Sequence, residues 1–140
     1  MPKGAGLLPK AMWHTILTSM PVACVDIVLE KKANVLLGFR AIPPYRGVWA
    51  LPGGRIRKHE HPRDTAKRVL KEIRIVADPK EFIGVFPVRF PRHPQKRYDI
   101  TLCYQYIWRD GEPTSTSELV RLEWFPPHAS RSGLERTIEG

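Results

Sequence analysis

The sequence predicts an α/β fold in which helices pack on a mixed β-sheet. Several short stretches are rich in β-branched and aromatic residues, as strands are. Two other stretches, one near the start of the chain and one in its middle, repeat their apolar residues with the period of a helix. Strands and helices mixed in this way pack as layers around one core.

The length and charge of the chain limit what it can be. At 140 residues it is long enough for one domain with its own core and too short for a second domain. The net charge of +9 favours anionic partners such as phosphates, RNA or an acidic surface. A basic surface that only keeps the protein in solution explains the same charge, so both interpretations stay open.

Residues 1–20 are predicted to be a helical extension ahead of the domain. Between residues 9 and 20, the apolar side chains recur at helical spacing, namely Met12, Trp13, Ile16 and Leu17. An apolar helix face of this kind needs a partner. It either packs on its own domain or joins a second copy of the chain in a homodimer, and the sequence leaves both alternatives open.

The sequence favours a cytoplasmic protein that does not contact a membrane. Pro, Lys and Gly interrupt the first residues, and no apolar stretch is long enough to span a bilayer. Cys24 and Cys103 lie far apart in strand-like stretches, and neither has a CxxC partner. We therefore expect two buried free thiols in a reducing compartment.

The first two strands are predicted at residues 22–30 and 34–39, as a hairpin around a polar turn. Asp26 interrupts the first strand. Because a carboxylate in an apolar strand is costly unless it is paired or solvated, Asp26 either contacts a cation such as Arg40 or faces a ligand cleft. Arg40 and Arg46 flank the stretch that leads to the next turn.

A glycine-rich turn followed by an amphipathic helix is the central feature of the chain. Gly53 and Gly54 allow backbone conformations in which main-chain groups approach a ligand closely. A helix is predicted over residues 62–74, with Pro62 in its first turn and His61 as its cap. Its apolar face consists of Ala66, Val69, Leu70 and Ile73, and another face carries Asp64, Arg68 and Glu72.

The second half of the chain is predicted to supply three further strands, at residues 82–90, 98–108 and 119–125. The polar, proline-broken loop at residues 91–97 is expected on the surface. Its cations either grip a phosphate or belong to a solvated hairpin tip. Residues 131–140 are expected to be a tail with little structure of its own.

The stretch around the glycine turn resembles the signature of the Nudix hydrolases, which reads Gly, five residues, Glu, seven residues, Arg-Glu-aliphatic-any-Glu-Glu-any-Gly-aliphatic. The matching positions are Gly54, Glu60, Arg68, Leu70, Glu72 and Val76. The resemblance covers residues 21–130 and implies a Nudix-type α/β/α sandwich around a mixed β-sheet. It also implies hydrolysis of a nucleoside diphosphate linked to another group, with Mg²⁺ or Mn²⁺ as the cofactor.

The resemblance also implies roles for individual residues. The catalytic residues would be Arg55, Arg68 and Glu72. The metal ligands would be Gly53, Glu72 and Glu118. The substrate-binding residues would be Asp26, Arg40 and Arg55, and Arg46 is added to them because it flanks the stretch before the glycine turn. In the signature, Glu60 often pairs with the arginine at position 68.

Two positions depart from the signature in a way that bears on the metal. Val69 and Ile73 stand where the family has acids, and aliphatic side chains offer no ligand to an ion that prefers oxygen. The metal site is therefore either reduced to the pair Glu72 and Glu118 or lost. The alternative interpretation is that this helix packs more tightly on its sheet than its relatives do.

Within the family, the closer resemblance is to the GDP-mannose mannosyl hydrolases. It rests on the order and spacing of residues 21–26, 36–40 and 53–56. It implies that water attacks the anomeric carbon of the sugar, with Asp26 at the sugar and with Arg40 and Arg55 at the diphosphate that leaves. The general base of those enzymes is a histidine, where this chain has Leu119.

The sequence thus supports three hypotheses of different classes. The first is an enzyme that hydrolyses a nucleotide sugar. The second is a module that kept the diphosphate site without turnover and binds a nucleotide or RNA. The third is a scaffold for protein interactions that only retains the fold. The positions of Val69 and Ile73 relative to the metal-binding face distinguish the first two.

Overall fold

The structure is a computed structural model and describes residues 8–42 and 46–126. Its elements in chain order are α1 (Lys10–Ser19), β1 (Val22–Lys31), β2 (Asn34–Arg40), β3 (Trp49–Ala50), β4 (Gly53–Arg55), α2 (Pro62–Glu72), β5 (Val76–Arg89), β6 (Tyr98–Asp110) and β7 (Leu119–Phe125). The predicted tail at residues 131–140 lies outside the described residues, as does His128. In the described ranges, no helix is long and apolar enough to cross a membrane.

The strands form one mixed sheet around β1. The main path is β3-β2-β1-β6-β5, with β4 paired to β1 and β7 paired to β2. β1 and β6 run parallel, whereas the other pairs are antiparallel. One end of β1 pairs with β2 at Glu30 and Lys31, and the other end pairs with β4. This register places Asp26 beside Gly53 on one side and beside Cys103 on the other.

The two helices lie on opposite faces of the sheet. Alternate residues of a strand point to opposite faces, and in β1 the odd-numbered Val25 and Ile27 belong to the core under α2. The even-numbered Val22 and Cys24 instead pack against Leu17 of α1. The arrangement is the α/β/α sandwich that the sequence predicted. Of the two alternatives for α1, the structure shows packing on its own domain.

Helix α2 begins after a capping residue and ends before a residue with a left-handed backbone conformation. His61 is the cap, because its Nδ1 accepts a hydrogen bond from Arg63 N at 3.0 Å and Asp64 Oδ2 accepts one from His61 N at 3.1 Å. The helix ends at Glu72, two residues before the predicted end at 74. Arg74 has a φ of 60°, and this left-handed conformation terminates the helix.

Several strand boundaries differ from the sequence prediction by a few residues. Strands β1 and β2 each continue one residue past the predicted ends at 30 and 39, and β6 continues two residues past 108. Strand β5 runs over Val76–Arg89 instead of 82–90, because its mostly exposed first residues pair with β6. Backbone pairing at an exposed sheet edge leaves little hydrophobic pattern in the sequence.

The Arg68 guanidinium ties α2 to the glycine turn. Its Nε donates to Glu60 Oε2 at 2.9 Å, and its Nη2 donates to Glu60 Oε1 at 3.0 Å and to the Arg55 carbonyl at 2.8 Å. Glu60 Oε1 also accepts from Arg57 N at 2.8 Å and from Thr65 Oγ1 at 3.1 Å. The hydrogen bond from Arg68, with those from Arg57 and Thr65, lowers the pKa of Glu60 to about 2.

We predict that Glu60→Gln destabilises the fold in a pH-dependent way. The loss of charge-assisted hydrogen bonds should lower the free energy of unfolding at pH 7 by about 1–3 kcal/mol. Because the folded state lowers the pKa of Glu60 from 4.5 to about 2, its contribution is complete above pH 4.5 and disappears as the pH falls through 2.

Chemical denaturation at pH 7, 4 and 2 measures this dependence. The difference between the wild type and Glu60→Gln should shrink as the pH falls, since protonated Glu60 resembles glutamine. The matched control is Glu81→Gln, which changes an exposed glutamate on β5. A difference that stays constant over this pH range would show that the Glu60 carboxylate charge is not what stabilises the turn.

We also predict that an acid placed at residue 73 destabilises the protein and does not create a metal site. Ile73 is 1% exposed and Val69 is 3% exposed, and both lie in the core between α2 and the sheet. An uncompensated buried charge costs about 3–5 kcal/mol, so Ile73→Glu and Val69→Glu should lower the melting temperature strongly.

Thermal melts with and without Mg²⁺ measure the effect. The control Ile73→Val keeps the position apolar and should cost only about 0.5–1.5 kcal/mol. If Mg²⁺ restored the melting temperature of the glutamate variants, their carboxylates would be binding the ion, and the prediction that these positions do not create a metal site would be wrong.

Candidate functional site

A cavity of about 440 Å³ opens on the α1 side of the sheet. Its wall includes residues of α1, β1, β4, β6 and α2. The charged residues that line it are Arg40, Arg55, Arg57, Arg68, Arg97, Asp26, Glu72, Asp99 and Glu118. Its volume suits a small organic ligand. Planar guanidinium groups match phosphate oxygens through paired hydrogen bonds, so the cavity is suited to a phosphorylated ligand that also offers groups for carboxylates.

Asp26 lies against the glycine turn. A Cβ atom added to Gly53 would come within 2.2 Å of Asp26 Oδ1 and 2.5 Å of the Val25 carbonyl, so only glycine fits beside this carboxyl. Burial and the neighbouring Asp99 raise the pKa of Asp26 to about 7, although Arg40 and Arg97 act in the opposite direction. Asp26 thus lines the cavity and lies within electrostatic reach of Arg40, the two features that the sequence analysis considered for it.

Arg97 and Asp99 form an ion pair that the sequence analysis did not identify. Arg97 Nε donates to Asp99 Oδ1 at 2.7 Å, and Asp99 is 6% exposed. Burial acts to lower the pKa of Arg97, but the hydrogen bond and charge of Asp99, together with the interactions with Cys24, outweigh burial and raise the pKa. The sequence analysis treated Arg97 as one cation of a surface loop. The available signal was the alternation of Asp99, Thr101 and Cys103 on the face of β6 beside Asp26.

Arg40 is the last residue of β2 and lines the cavity. Burial lowers the pKa of Arg40, while Glu118 and Asp26 act to raise it, so its guanidinium lies within the electrostatic reach of both carboxylates. Ala41 N donates to the Glu118 carbonyl at 2.9 Å, which fixes the start of β7 beside the end of β2. Arg40 and Glu118 are thus brought together, as their predicted roles at one site require.

The predicted site residues are not all in the cavity. Arg46 is exposed and is not among the described residues that line it. The structure places it in the exposed turn before β3, where the backbone N of the neighbouring Gly47 donates to the Arg40 carbonyl at 2.9 Å. Arg57 lines the cavity, although the sequence analysis gave it no role.

The acidic residues fit a divalent metal only in part. Glu72 and Glu118 line the cavity together with Gly53, but within residues 8–42 and 46–126 no three acidic, histidine or cysteine side chains are grouped to hold an ion. Glu72 also pairs with Arg68 at 3.4 Å. Two carboxylates suit an ion such as Mg²⁺, which commonly takes its other ligands from substrate phosphates and water.

Histidine and cysteine side chains do not supply a reactive group in the described part of the cavity. His61 caps α2, and His59 and His93 are not among the lining residues. Cys24 lines the cavity, but burial raises the pKa of its thiol to about 12, which keeps it protonated. Leu119, which stands where the resemblance to the mannosyl hydrolases implies a histidine base, is buried and packs over Gly38.

Two curated proteins resemble part of the chain. The low-salt glycan biosynthesis protein Agl8 of Haloferax volcanii is 40% identical over 65 residues, which are 46% of this chain and 42% of that protein. An ADP-ribose pyrophosphatase of Methanocaldococcus jannaschii is 35% identical over 75 residues, or 51% of this chain and 44% of the relative. The chain thus matches less than half the length of either relative.

The fold and the family model agree over a longer stretch. The structure of a MutT NUDIX hydrolase from Burkholderia pseudomallei superposes with a TM-score of 0.67 at 23% identity, covering 84% of this chain and 98% of that one, which shows the shared fold. The NUDIX domain model matches residues 19–138, which is most of the chain. The chain therefore belongs to the Nudix hydrolase family.

Proposed function

We propose that this chain hydrolyses a nucleoside diphosphate linked to a sugar. The observation that carries the proposal is the composition of the cavity, in which five guanidinium groups and four carboxylates line one space. Guanidinium groups suit a diphosphate, but carboxylates repel one. The two most enclosed acids, Asp26 and Asp99, therefore suit a part of the ligand that carries hydroxyl groups.

The diphosphate is assigned to the guanidinium groups of three arginines that line the cavity. Arg55 follows the glycine turn directly, and Arg40 and Arg97 lie at the ends of strands around it. Charge-assisted hydrogen bonds from these groups stabilise the ligand in its bound state. They stabilise it further when a bond to the diphosphate breaks, because the leaving group then carries more negative charge.

The sugar is assigned to the carboxyl groups of Asp26 and Asp99. These two carboxyls interact with each other and lie close to Arg40 and Arg97, so neighbouring side chains would bind the sugar and the diphosphate. A carboxyl group accepts hydrogen bonds from sugar hydroxyls when it is ionised, and donates one when it is protonated. This assignment agrees with the resemblance to the mannosyl hydrolases, in which an acid at position 26 contacts the sugar.

The reaction at the anomeric carbon explains a reduced metal site. Water forms a bond to that carbon, the carbon–oxygen bond to the diphosphate breaks, and the products are a free sugar and a nucleoside diphosphate. Glu72 and Glu118 would hold a divalent ion, Mg²⁺ or Mn²⁺, which when bound helps to neutralise the diphosphate. The remaining neutralisation falls to Arg40, Arg55 and Arg97, so fewer acidic ligands suffice.

A second candidate is a module that binds a nucleotide, or RNA, without hydrolysing it. The specific observation in its favour is that Val69 and Ile73 lie in the core where the signature has acids. In this case the same arginines bind the diphosphate, and the cavity retains affinity without turnover. The two candidates differ in product formation and not in binding.

The deciding experiment is calorimetric titration of GDP-mannose, ADP-ribose and GDP with and without Mg²⁺, followed by product analysis. We expect metal-dependent release of free sugar plus a nucleoside diphosphate from a nucleotide sugar. A sugar phosphate plus a nucleoside monophosphate would instead place the attack at phosphorus. Tight binding with no product would establish the binding module, and the absence of binding by all three ligands would refute the proposal.

We predict that Arg40→Ala and Arg55→Ala each weaken the binding of GDP. Loss of one charge-assisted hydrogen bond costs about 1.5–3 kcal/mol, which corresponds to roughly 10- to 150-fold in Kd. The control is Arg109→Ala, which removes the same charge from a side chain that is 65% exposed and is not among the residues lining the cavity. Wild-type affinity in both test variants would rule out the diphosphate assignment.

A further inference from the structure

Trp13 brings the N-terminal helix into the wall of the cavity. It lies in α1, and all of α1 except Ser19 precedes residues 19–138, which the family model matches. The side chain is half-buried and lines the cavity together with the arginines. This aromatic wall is therefore a feature of this chain that the matched domain does not supply.

Two arginines from different parts of the chain lie by the same indole ring. Arg55 Cζ, at the end of β4, is 5.7 Å from the centroid of the Trp13 ring. Arg97 Cζ, just before β6, is 5.6 Å from it. Both distances are within the range of cation–π attraction, which is strongest for tryptophan. The ring thus links two positive groups that would otherwise only repel each other.

The helix is anchored so that the ring stays in this place. Leu17, one turn further along α1, is 8% exposed and packs against Val22 and Cys24 of β1. At the other end of the contact, Gln95 Nε2 lies 3.2 Å from His14 Nδ1, which joins α1 to the turn just before Arg97. The anchored ring therefore lies at a fixed place beside Arg55 and Arg97, of which Arg97 is also held by its ion pair with Asp99.

Long arginine side chains lose conformational entropy when they bind a ligand. Arg97 is already ordered by its ion pair with Asp99, whereas Arg55 carries several rotatable bonds whose ordering costs binding free energy. A rigid aromatic face that already restricts Arg55 reduces this cost at the moment of binding. It also excludes water from one side of the guanidinium groups, which strengthens their attraction for a phosphate.

We propose that Trp13 is a positioning residue of the diphosphate site, and that α1 completes this site by holding Arg55 and Arg97 toward the cavity. The inference rests on the proposed function, because it concerns how that function's ligand is bound. It goes further by assigning a role in binding to a helix that lies ahead of the family domain. Trp13 acts through the arginines and does not itself contact the reacting atoms.

The experiment measures the Kd of GDP by calorimetry for variants of residue 13. Trp13→Ala should weaken binding by about 5- to 30-fold, as loss of two cation–π contacts predicts. Trp13→Phe keeps an aromatic face and should remain within about 3-fold of the wild type. Met12→Ala is the control, because Met12 is 52% exposed on the same helix, and we expect its Kd to equal that of the wild type.

Trp13→Leu separates positioning from packing. It keeps an apolar side chain against the domain but removes the aromatic ring, so binding should weaken nearly as much as in Trp13→Ala while the melting temperature stays close to that of the wild type. A double-mutant cycle with Arg55→Ala adds a measure of coupling. Trp13→Leu should have a smaller effect in the Arg55→Ala background than in the wild type.

The outcomes separate this inference from the proposed function. If wild-type protein binds GDP and Trp13→Leu binds it equally well, the positioning role is wrong while the proposed function stands. Equal effects of Trp13→Leu with and without Arg55 would also overturn the role, because they would show that Trp13 does not act through that arginine. If wild-type protein does not bind GDP, GDP-mannose or ADP-ribose, the proposed function fails and this inference fails with it.

Discussion

The site depends on the pairing of Arg68 with Glu60 across the start of α2. A guanidinium that reaches Glu60 and the Arg55 carbonyl at once fixes the distance between the helix and the end of β4. That distance sets the conformation of the glycine turn, which in turn allows Asp26 to lie against Gly53. Glu60 and Arg68, two of the signature residues that this chain keeps, thus shape the glycine turn.

The two positions at which the chain departs from the signature have a different physical role. Val69 and Ile73 fill the space between α2 and the sheet, and Val69 Cγ2 would lie 3.4 Å from a Cβ at Gly54. Apolar burial there stabilises the helix against the turn that Arg68 holds from the other side. Packing and ion pairing therefore both stabilise the contact between α2 and the glycine turn. As a consequence, fewer side-chain oxygens are available there to bind a metal ion.

Local pattern and spacing were enough to predict much of this structure. The amphipathic face of α2 and its cap at His61 follow from residues close in sequence, whereas the pairing of Glu60 with Arg68 was implied by the resemblance to the Nudix signature. The structure shows all three. Arg97 and Asp99 were missed because their place in the cavity depends on the parallel pairing of β6 with β1, some 70 residues earlier in the chain. Arg46 was included for its sequence position alone, which does not fix where a loop side chain points.

The balance of charge inside the cavity bears on which ligands it admits. The described lining residues hold only one more cation than anions, whereas the whole chain carries a net charge of +9. Most of the basic charge that favoured anionic partners therefore lies elsewhere on the molecule, where it steers anions toward the protein without selecting among them. We propose that selection among ligands depends on Asp26 and Asp99. A nucleotide sugar offers a diphosphate to the guanidinium groups and hydroxyl groups to these two carboxyls, whereas a ligand made only of phosphate offers the carboxyls no hydrogen-bond donor.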